Sequence, residues 1–563
     1  MTLSATYVVR VAFGVLAVAA LVTGYAGLRA YAQGEPELSA TPLNLLYWTL
    51  QLFVFDSAPL EAGASLPPAL EFARFAAPGV TVYTLVDGAR LLLAAELRRI
   101  RARESKDHVV VCGSGAVAIA LIERLRETAE RIVMISAAPV TEWGDRKVLH
   151  VAGDARSPST LRAAGVQRAT TLYACEADSS MNTAIALAAH DMARPAAGSH
   201  LSTYALIPDP ELCAALRARR LGLPDRPRLR LDFFNLDELA ARVLLERHPV
   251  ENDRPVVVVG LDAFGRSLLV EIARRRRLVS PYGERLPVTL IDGRAGETAE
   301  SLCRRFEFIS EVCELTAHDV GPADPLRYDL LPGRVPQRVF VCYADQDLAL
   351  RTALTSRTLW HCGPGSLVVR VEQAATFSRA FEGTRLLEGL AGALQIFAIN
   401  EEAGDPRLIA EDLVETLARA IHERYLFDAA RRRETPDTNP SLLPWDDLPQ
   451  RLKAANRGQA EDIGRKLASI GCVLGPRVGP DLEFVFKDHE VERLAKMEHD
   501  RWLGEMVRDG WTRGPIRDPA RKLHPDITDW DDLSEVAKEK DRDTVRNLPE
   551  ILSSVGFQIV RVA

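Results

Sequence analysis

His108-Val-Val-Val-Cys112, then Gly113-Ser114-Gly115-Ala116-Val117-Ala118, then a helical run to Arg126: these residues decide the fold. A β-branched strand, a glycine turn and a helix in that order open a dinucleotide-binding βαβ unit. Glycines let the backbone approach a pyrophosphate, and the helix N-terminus offers N–H donors and a partial positive charge. The next strand, Ile132 to Ile135, leads to Ser136, where an acid that bonds a ribose is expected and is missing. Asp154, in Gly153-Asp154-Ala155, is a further candidate near such a ligand, or a structural turn acid.

The pattern then repeats. Val256 to Val259 form a strand, Gly260-Leu261-Asp262-Ala263-Phe264-Gly265 the turn, and V-T-L-I-D ends at Asp292. Val339 to Tyr343, followed by Ala344-Asp345-Gln346-Asp347, mirrors Ala174 to Asp178 of the first copy. The two turns differ in a complementary way. The first keeps its glycines and lacks the ribose acid; the second keeps Asp292 but places Asp262 at the middle glycine, where a carboxylate repels a pyrophosphate. At most one nucleotide site is expected, at Gly113, Ser114, Gly115 and Ala118 with Ser136 and Asp154. The alternative is that both turns serve only tight strand-to-helix packing.

From His108 to Val250 the ordered motifs, ending in F-F-N-L-D-E-L-A-A-R-V-L-L-E-R-H-P at 233 to 249, resemble the RCK or TrkA-N domain. That family regulates potassium channels and transporters. The resemblance implies tandem RCK-like domains, 104–250 and 251–405, with NAD(H) or another adenine nucleotide at the first.

A second duplication lies nearer the C-terminus. W-D-D-L at 445, Lys453, Arg457, Leu467, Ser469 and Gly471 recur 85 residues on as W-D-D-L at 530, Lys538, Arg542, Leu552, Ser554 and Gly556. Leu417-Ala418, His422, Arg424 and Tyr425 recur 77 residues on as Leu494-Ala495, His499, Arg501 and Trp502. The second copy therefore carries an insert, which holds Gly510-Trp511, Gly514, Arg517-Asp518, Lys522 and His524-Pro525. The pattern resembles the RyR repeat of ryanodine receptors, abbreviated at 406–475 and full at 486–563. Asp446-Asp447 and Asp531-Asp532 precede good helix formers and read as N-caps. Arg501, Trp502, Trp511, Arg517, Lys522, His524, Trp530 and Arg542 combine aromatic planes with fixed cations, which suits a stacked base and its phosphates. Core packing by buried Trp and ion-paired Arg is the competing account. The resemblance implies a nucleotide-type signal for such a pair.

The first 103 residues read as a membrane segment. Val11 to Leu28 are uncharged between Arg10 and Arg29, and a second span covers about 75–97, interrupted by Asp87 and Arg90, one helical turn apart and able to pair. The first span is taken as about 8–30. Arg98, Arg99, Arg101, Arg103 and Lys106 follow the second span, whereas 32–73 holds no Lys or Arg. Both termini and the large C-terminal region are then cytoplasmic, in a multi-pass plasma-membrane protein. Residues 41–57 resemble the pore helix of two-span potassium channels, but Phe53-Val54-Phe55-Asp56-Ser57 replaces the T-V-G-Y-G filter and offers no glycine. A divergent pore and a non-conducting interfacial segment both remain open.

A net charge of −7 gives no basic field for nucleic acid. The eight cysteines show no metal-ligand spacing, so no metal is expected apart from a transported cation. No Walker, H-E-x-x-H or G-x-S-x-G motif occurs, so no catalytic residue is assigned and the chain is not expected to be an enzyme. The basic runs Arg274 to Arg277 and Arg431 to Arg433 read as helix-end, solvated charge.

The expected architecture is α/β: two tandem Rossmann-like domains with parallel sheets behind an N-terminal transmembrane helical segment, ending in a mainly α-helical repeat pair. The expected function is a ligand-gated cation (potassium) channel or transport regulator with three partners: the bilayer, a small-molecule nucleotide and further copies of itself, a tetramer being favoured. Its alternatives are a membrane-disrupting effector of a nucleotide-signalled antiviral system and a non-conducting TrkA-like subunit of a separate transporter.

Overall fold

The computed structural model describes residues 5–562 except 35–37, 39, 57–59, 61–65, 130, 139–146, 194–200, 222–228, 251–252, 280–283, 323, 325, 361, 364, 374–393, 411–412, 432–440 and 478–483. The chain divides into two units, 1–101 and 102–563.

The first unit is built on three helices, α1 (Ala5–Gly34), α2 (Pro42–Gln51) and α3 (Pro68–Glu104). Within α1, Val9–Gly34 has a mean hydropathy of 2.0 and is long and apolar enough to cross a membrane. Among the described residues no other helix meets that measure. Helix α2 starts where Thr41 Oγ1 accepts from the Asn44 N–H at 3.3 Å and Pro42 fixes the first turn. It ends in a 3₁₀ turn, Leu52–Val54, and Phe55 adopts φ 63°, a left-handed conformation unusual for a bulky residue. Helices α1 and α3 approach closely, since a Cβ on Gly27 would lie 2.7 Å from the Leu70 backbone. Asp87 pairs with Arg10 of α1 at 3.1 Å. The expected partner, Arg90, has a side chain outside the described residues, as do Arg98 and Arg99; Ser57, Arg432 and Arg433 lie outside them altogether.

The second unit opens with a six-stranded sheet: β1 (His108–Cys112), β2 (Ile132–Ser136), β3 (Val148–Ala152), β4 (Ala169–Ala174), β5 (Leu201–Leu206) and β6 (Leu229–Phe234). Their order is β3-β2-β1-β4-β5-β6, and every pairing is parallel. The second sheet contains β7 (Val256–Val259), β8 (Leu286–Asp292), β9 (Cys313–Asp319), β10 (Arg338–Val341), β11 (Leu367–Val371) and β12 (Leu394–Ala398). Read from its other edge, it has the same order, β9-β8-β7-β10-β11-β12, again all parallel. Both are doubly wound sheets whose switch point lies beside the first strand, at the glycine turn. The central strands are covered on both faces, which explains their unbroken apolar runs: Val110, Val111, Cys112 and Val256 to Val259 are fully buried. One apolar cluster takes Leu239 and Leu244 from the first half and Leu268, Leu269 and Ile272 from the second, so the halves share a core.

The C-terminal region holds two related helix sets with their own core, including Leu417, Trp445, Leu467, Leu494, Trp530 and Leu552. The first set contains Leu413–Arg431 and Gln450–Ser469; the second contains Asp488–Arg508, Glu535–Arg546 and Leu548–Ser554. Each W-D-D segment is a 3₁₀ turn rather than a cap. Ser534 caps the following helix by accepting from the Ala537 N–H at 3.3 Å, and the first-copy helix starts after Pro449 without a side-chain cap. Each set then adds a strand, β13 (Cys472–Pro476) and, at the chain's end, β16 (Phe557–Arg561). They pair antiparallel with Leu474 opposite Ile559, its own counterpart 85 residues on. The flanking bonds match as well: Arg477 N to Gly556 O at 2.8 Å and Val562 N to Gly471 O at 3.0 Å are counterparts. An internal twofold axis therefore passes through the Leu474–Ile559 pair. Two short strands, β14 (Thr512–Arg513) and β15 (Leu523–His524), pair within the insert.

Candidate functional site

The first glycine turn is open. Gly113 has φ +123°, and a Cβ there would lie 2.7 Å from the Cys175 carbonyl oxygen, so only glycine fits between β1 and β4. Gly115 starts α4 (Ala116–Thr128), and a Cβ on it would meet nothing within 4 Å. Among the described residues no side chain accepts from the Ser114, Gly115 or Ala116 N–H groups, which leaves a helix N-terminus free for an anion. Ala118 is buried under the turn. Ser136 ends β2, with its hydroxyl 2.7 Å from the Ala138 carbonyl and 3.0 Å from His150 Nε2. Asp154 is gripped by Arg156 Nε at 3.1 Å and Nη2 at 2.8 Å, and this pairing holds its carboxyl below the ordinary range.

The second turn is filled by its own chain. Asp292 accepts from the Leu261 N–H at 2.9 Å, and Asp262 accepts from the Ala344 N–H at 2.7 Å. Asp292 thus takes up a donor of the turn, and Asp262 ties the turn to the segment after β10.

In the second repeat, a cavity of about 210 Å³ is lined by His499, Trp502, His524, Asp526, Lys540 and Asp541 together with Leu533 and Ala537. Trp502 and His524 meet edge to face at 5.1 Å, and Trp511 stands 6.4 Å from the same imidazole. Burial lowers the His524 pKa, Asp526 opposes this, and Arg517 and Lys540 reinforce it. His499 lies 3.5 Å from Asp541 and 2.8 Å from the Thr528 carbonyl; burial works to lower its pKa, but these partners raise it. The Trp511 indole N–H is buried and has no acceptor among the described residues, while Arg451 covers its ring at 5.6 Å.

The expected ligand group divides accordingly. Trp502 and His524 line the cavity and Trp511 adjoins it. Arg517 is exposed near His524, and Lys522 donates to the Asp509 carbonyl at 2.7 Å. Arg501 is spent on Glu498 and Glu505, at 2.6 and 2.8 Å. Arg542 is held by Glu492, Glu535 and Glu539, and Trp530 is buried in the core under Lys538. Sequence reasoning used His499 only as a repeat marker and passed over Lys540 and Asp541. One signal could have found them: the counterparts in the first copy are Ala455 and Asn456, so these charges belong to the second copy alone.

The Arg274 to Arg277 run departs from the solvated-surface reading. Arg276 pairs with Asp253 at 2.5 Å, and Arg277 reaches Glu550 at 3.0 Å while lying over Phe308 and Phe427. These arginines tie the second α/β half to its neighbours.

Residues 109–222 match the TrkA-N domain family and residues 487–561 the RyR domain family. The chain thus carries a TrkA-N domain and a RyR domain, each the copy whose candidate site is open. Among solved structures, a mutant of GsuK is 14% identical, with 72% of this chain and 97% of that one covered and a TM-score of 0.37. GsuK bound to ADP is 13% identical over 72% and 97%, with a TM-score of 0.34, and the GsuK RCK domain is 10% identical over 55% and 77%, with a TM-score of 0.32.

Proposed function

We propose that this chain is a membrane-anchored potassium channel or transport regulator, in which an adenine nucleotide held at the first glycine turn biases the cytoplasmic domains. The observation that carries the reading is the contrast between the turns: Ser114, Gly115 and Ala116 keep free N–H groups, whereas Asp262 and Asp292 fill the second turn. The TrkA-N match over 109–222 supports it. NAD(H) and ATP are the first ligands to try. The second-repeat cavity receives a nucleotide-type signal, with Trp502 and His524 as its stacking walls and the Trp511 N–H as an unspent donor. The protein performs no catalysis and acts by population shift. Helices α1 and α3 span the plasma membrane, with both termini inside. Several copies, four in the favoured arrangement, surround one pathway.

A second reading, non-selective permeabilisation by a nucleotide-signalled effector, rests on Phe55 at φ 63° and the absence of filter glycines around it. Liposomes containing the purified protein test both. Potassium flux that depends on ATP or NAD(H), and that Gly115→Ala removes, is the expected result. The added methyl meets no atom within 4 Å beyond its neighbours in the chain, so the fold should tolerate it. Nucleotide affinity unaltered by Gly115→Ala overturns the turn assignment. Equal sodium and potassium currents select the second reading, and a silent protein that co-purifies with a multi-span partner is instead a transporter subunit.

A further inference from the structure

A cavity of about 580 Å³ belongs to neither candidate site. It lies inside the second unit where four parts meet: the helices Pro210–Leu221 and Leu236–Arg247 of the first α/β half, Ala263–Val279 and Ala295–Arg305 of the second, Leu413–Arg431 of the first repeat, and Val555 and Phe557 of the second. Eight arginines against six glutamates line it, a density of guanidinium groups that core packing does not require.

The glutamates are largely engaged. Arg217 holds Glu238 at 2.8 Å, Arg305 holds Glu211 at 3.2 Å, and Arg275 holds Glu271 at 3.0 Å. Arg266 is exposed and lines the cavity; among the described residues its side chain makes no hydrogen bond or ion pair, and its charge acts on the nearby Asp237. Arg274 and Arg305 each bury an Nε–H without an acceptor among them. Burial raises the Glu423 carboxyl to about 7, so near neutrality it offsets the arginines only in part. The lining also includes buried aromatic rings, Phe306 beneath Arg305 and Phe557.

We propose that this cavity binds a phosphate-bearing ligand with an apolar or aromatic portion, a nucleotide polyphosphate in chemical class, at a site separate from the glycine turn. Guanidinium forks suit phosphate oxygens, and the volume suits a nucleotide. Because four structural parts share the wall, a bound polyanion draws them together and stabilises one arrangement of the α/β pair against the repeats.

The test uses the full chain in detergent with sodium tripolyphosphate as the probe, read by titration calorimetry and by protection of arginines from phenylglyoxal. The Gly115→Ala protein, whose turn is blocked, is expected to keep binding the probe, with Arg266 protected. Arg266→Glu, at an exposed position, is expected to fold normally and to weaken binding by about tenfold or more. The proposal is overturned if the wild-type chain does not bind the probe, if Gly115→Ala abolishes binding, or if Arg266→Glu leaves the affinity unaltered.

Discussion

The two C-terminal repeats solve the same packing problem with matched parts. His422 Nε2 meets the Leu443 carbonyl at 2.8 Å, and His499 Nε2 meets Thr528 at 2.8 Å. Each histidine stands 5.9 Å from its tryptophan, Trp445 or Trp530, and each tryptophan carries a lysine over its ring, Lys453 or Lys538. Arg457 grips Glu415 as Arg542 grips Glu492. Where the copies diverge, the second has gained charge around a cavity. The comparison separates what both copies share in packing from the charges found in the second alone.

The sharpest divergence lies in the core. Lys466 pairs with Glu498, both nearly fully buried, while their counterparts across the axis, Ile421 and Ile551, are apolar and buried in the same cluster. Lys466→Met leaves Glu498 with Arg501 alone and is expected to cost about 3 kcal/mol. The double variant Lys466→Met/Glu498→Leu, which copies the apolar side, recovers most of that loss. Thermal unfolding of the full chain followed by tryptophan fluorescence reads this, since four of the seven tryptophans lie in the repeat pair. Full loss in the double variant contradicts the equivalence.

Truncation on the axis itself is expected to be slightly milder. Leu474→Ala and Ile559→Ala remove buried counterparts and should each cost about 2–4 kcal/mol, matching within about 1 kcal/mol. Widely unequal losses break the symmetry.

The smallest effect is on pH response. Burial lowers the His422 pKa from 6.5, whereas Asp541 and Thr528 raise that of His499. A raised folded pKa adds stability that is present below 6.5 and lost as pH rises through the folded value; a lowered one penalises the fold as pH falls below 6.5. Asp541→Asn installs the first copy's residue and should move the His499 pKa downward. Its stability cost, about 1 kcal/mol, should appear at pH 5.5–6 and fade above neutrality. Histidine ring NMR titration checks it, and an unmoved His499 removes Asp541 from the account.

Much of this was legible before any coordinates, for physical reasons. Strands buried on both faces must be apolar throughout, so β1 and β7 announced themselves, and ungapped 85-residue spacing exposed the second duplication. The fate of individual charges was not legible. Asp262 reads as a repulsive group, yet its oxygen also satisfies the Ala344 N–H, a partner 82 residues away. Arg501 and Arg542 read as ligand cations because sequence does not reveal which glutamates reach them. The W-D-D acids read as caps because the 3₁₀ turn that moves the cap to Ser534 depends on a tryptophan buried by tertiary packing. The arginine-rich cavity is assembled from six separate segments and has no local signature at all.

The β13–β16 ribbon has a consequence for assembly. Equivalent edges joined across a twofold axis make the contact by which two identical subunits would dimerise, here achieved within one polypeptide. Such a contact closes on itself and cannot propagate. In any assembly of several copies, the repeats have already spent this self-complementary face, and the symmetry between copies would have to be written on other surfaces.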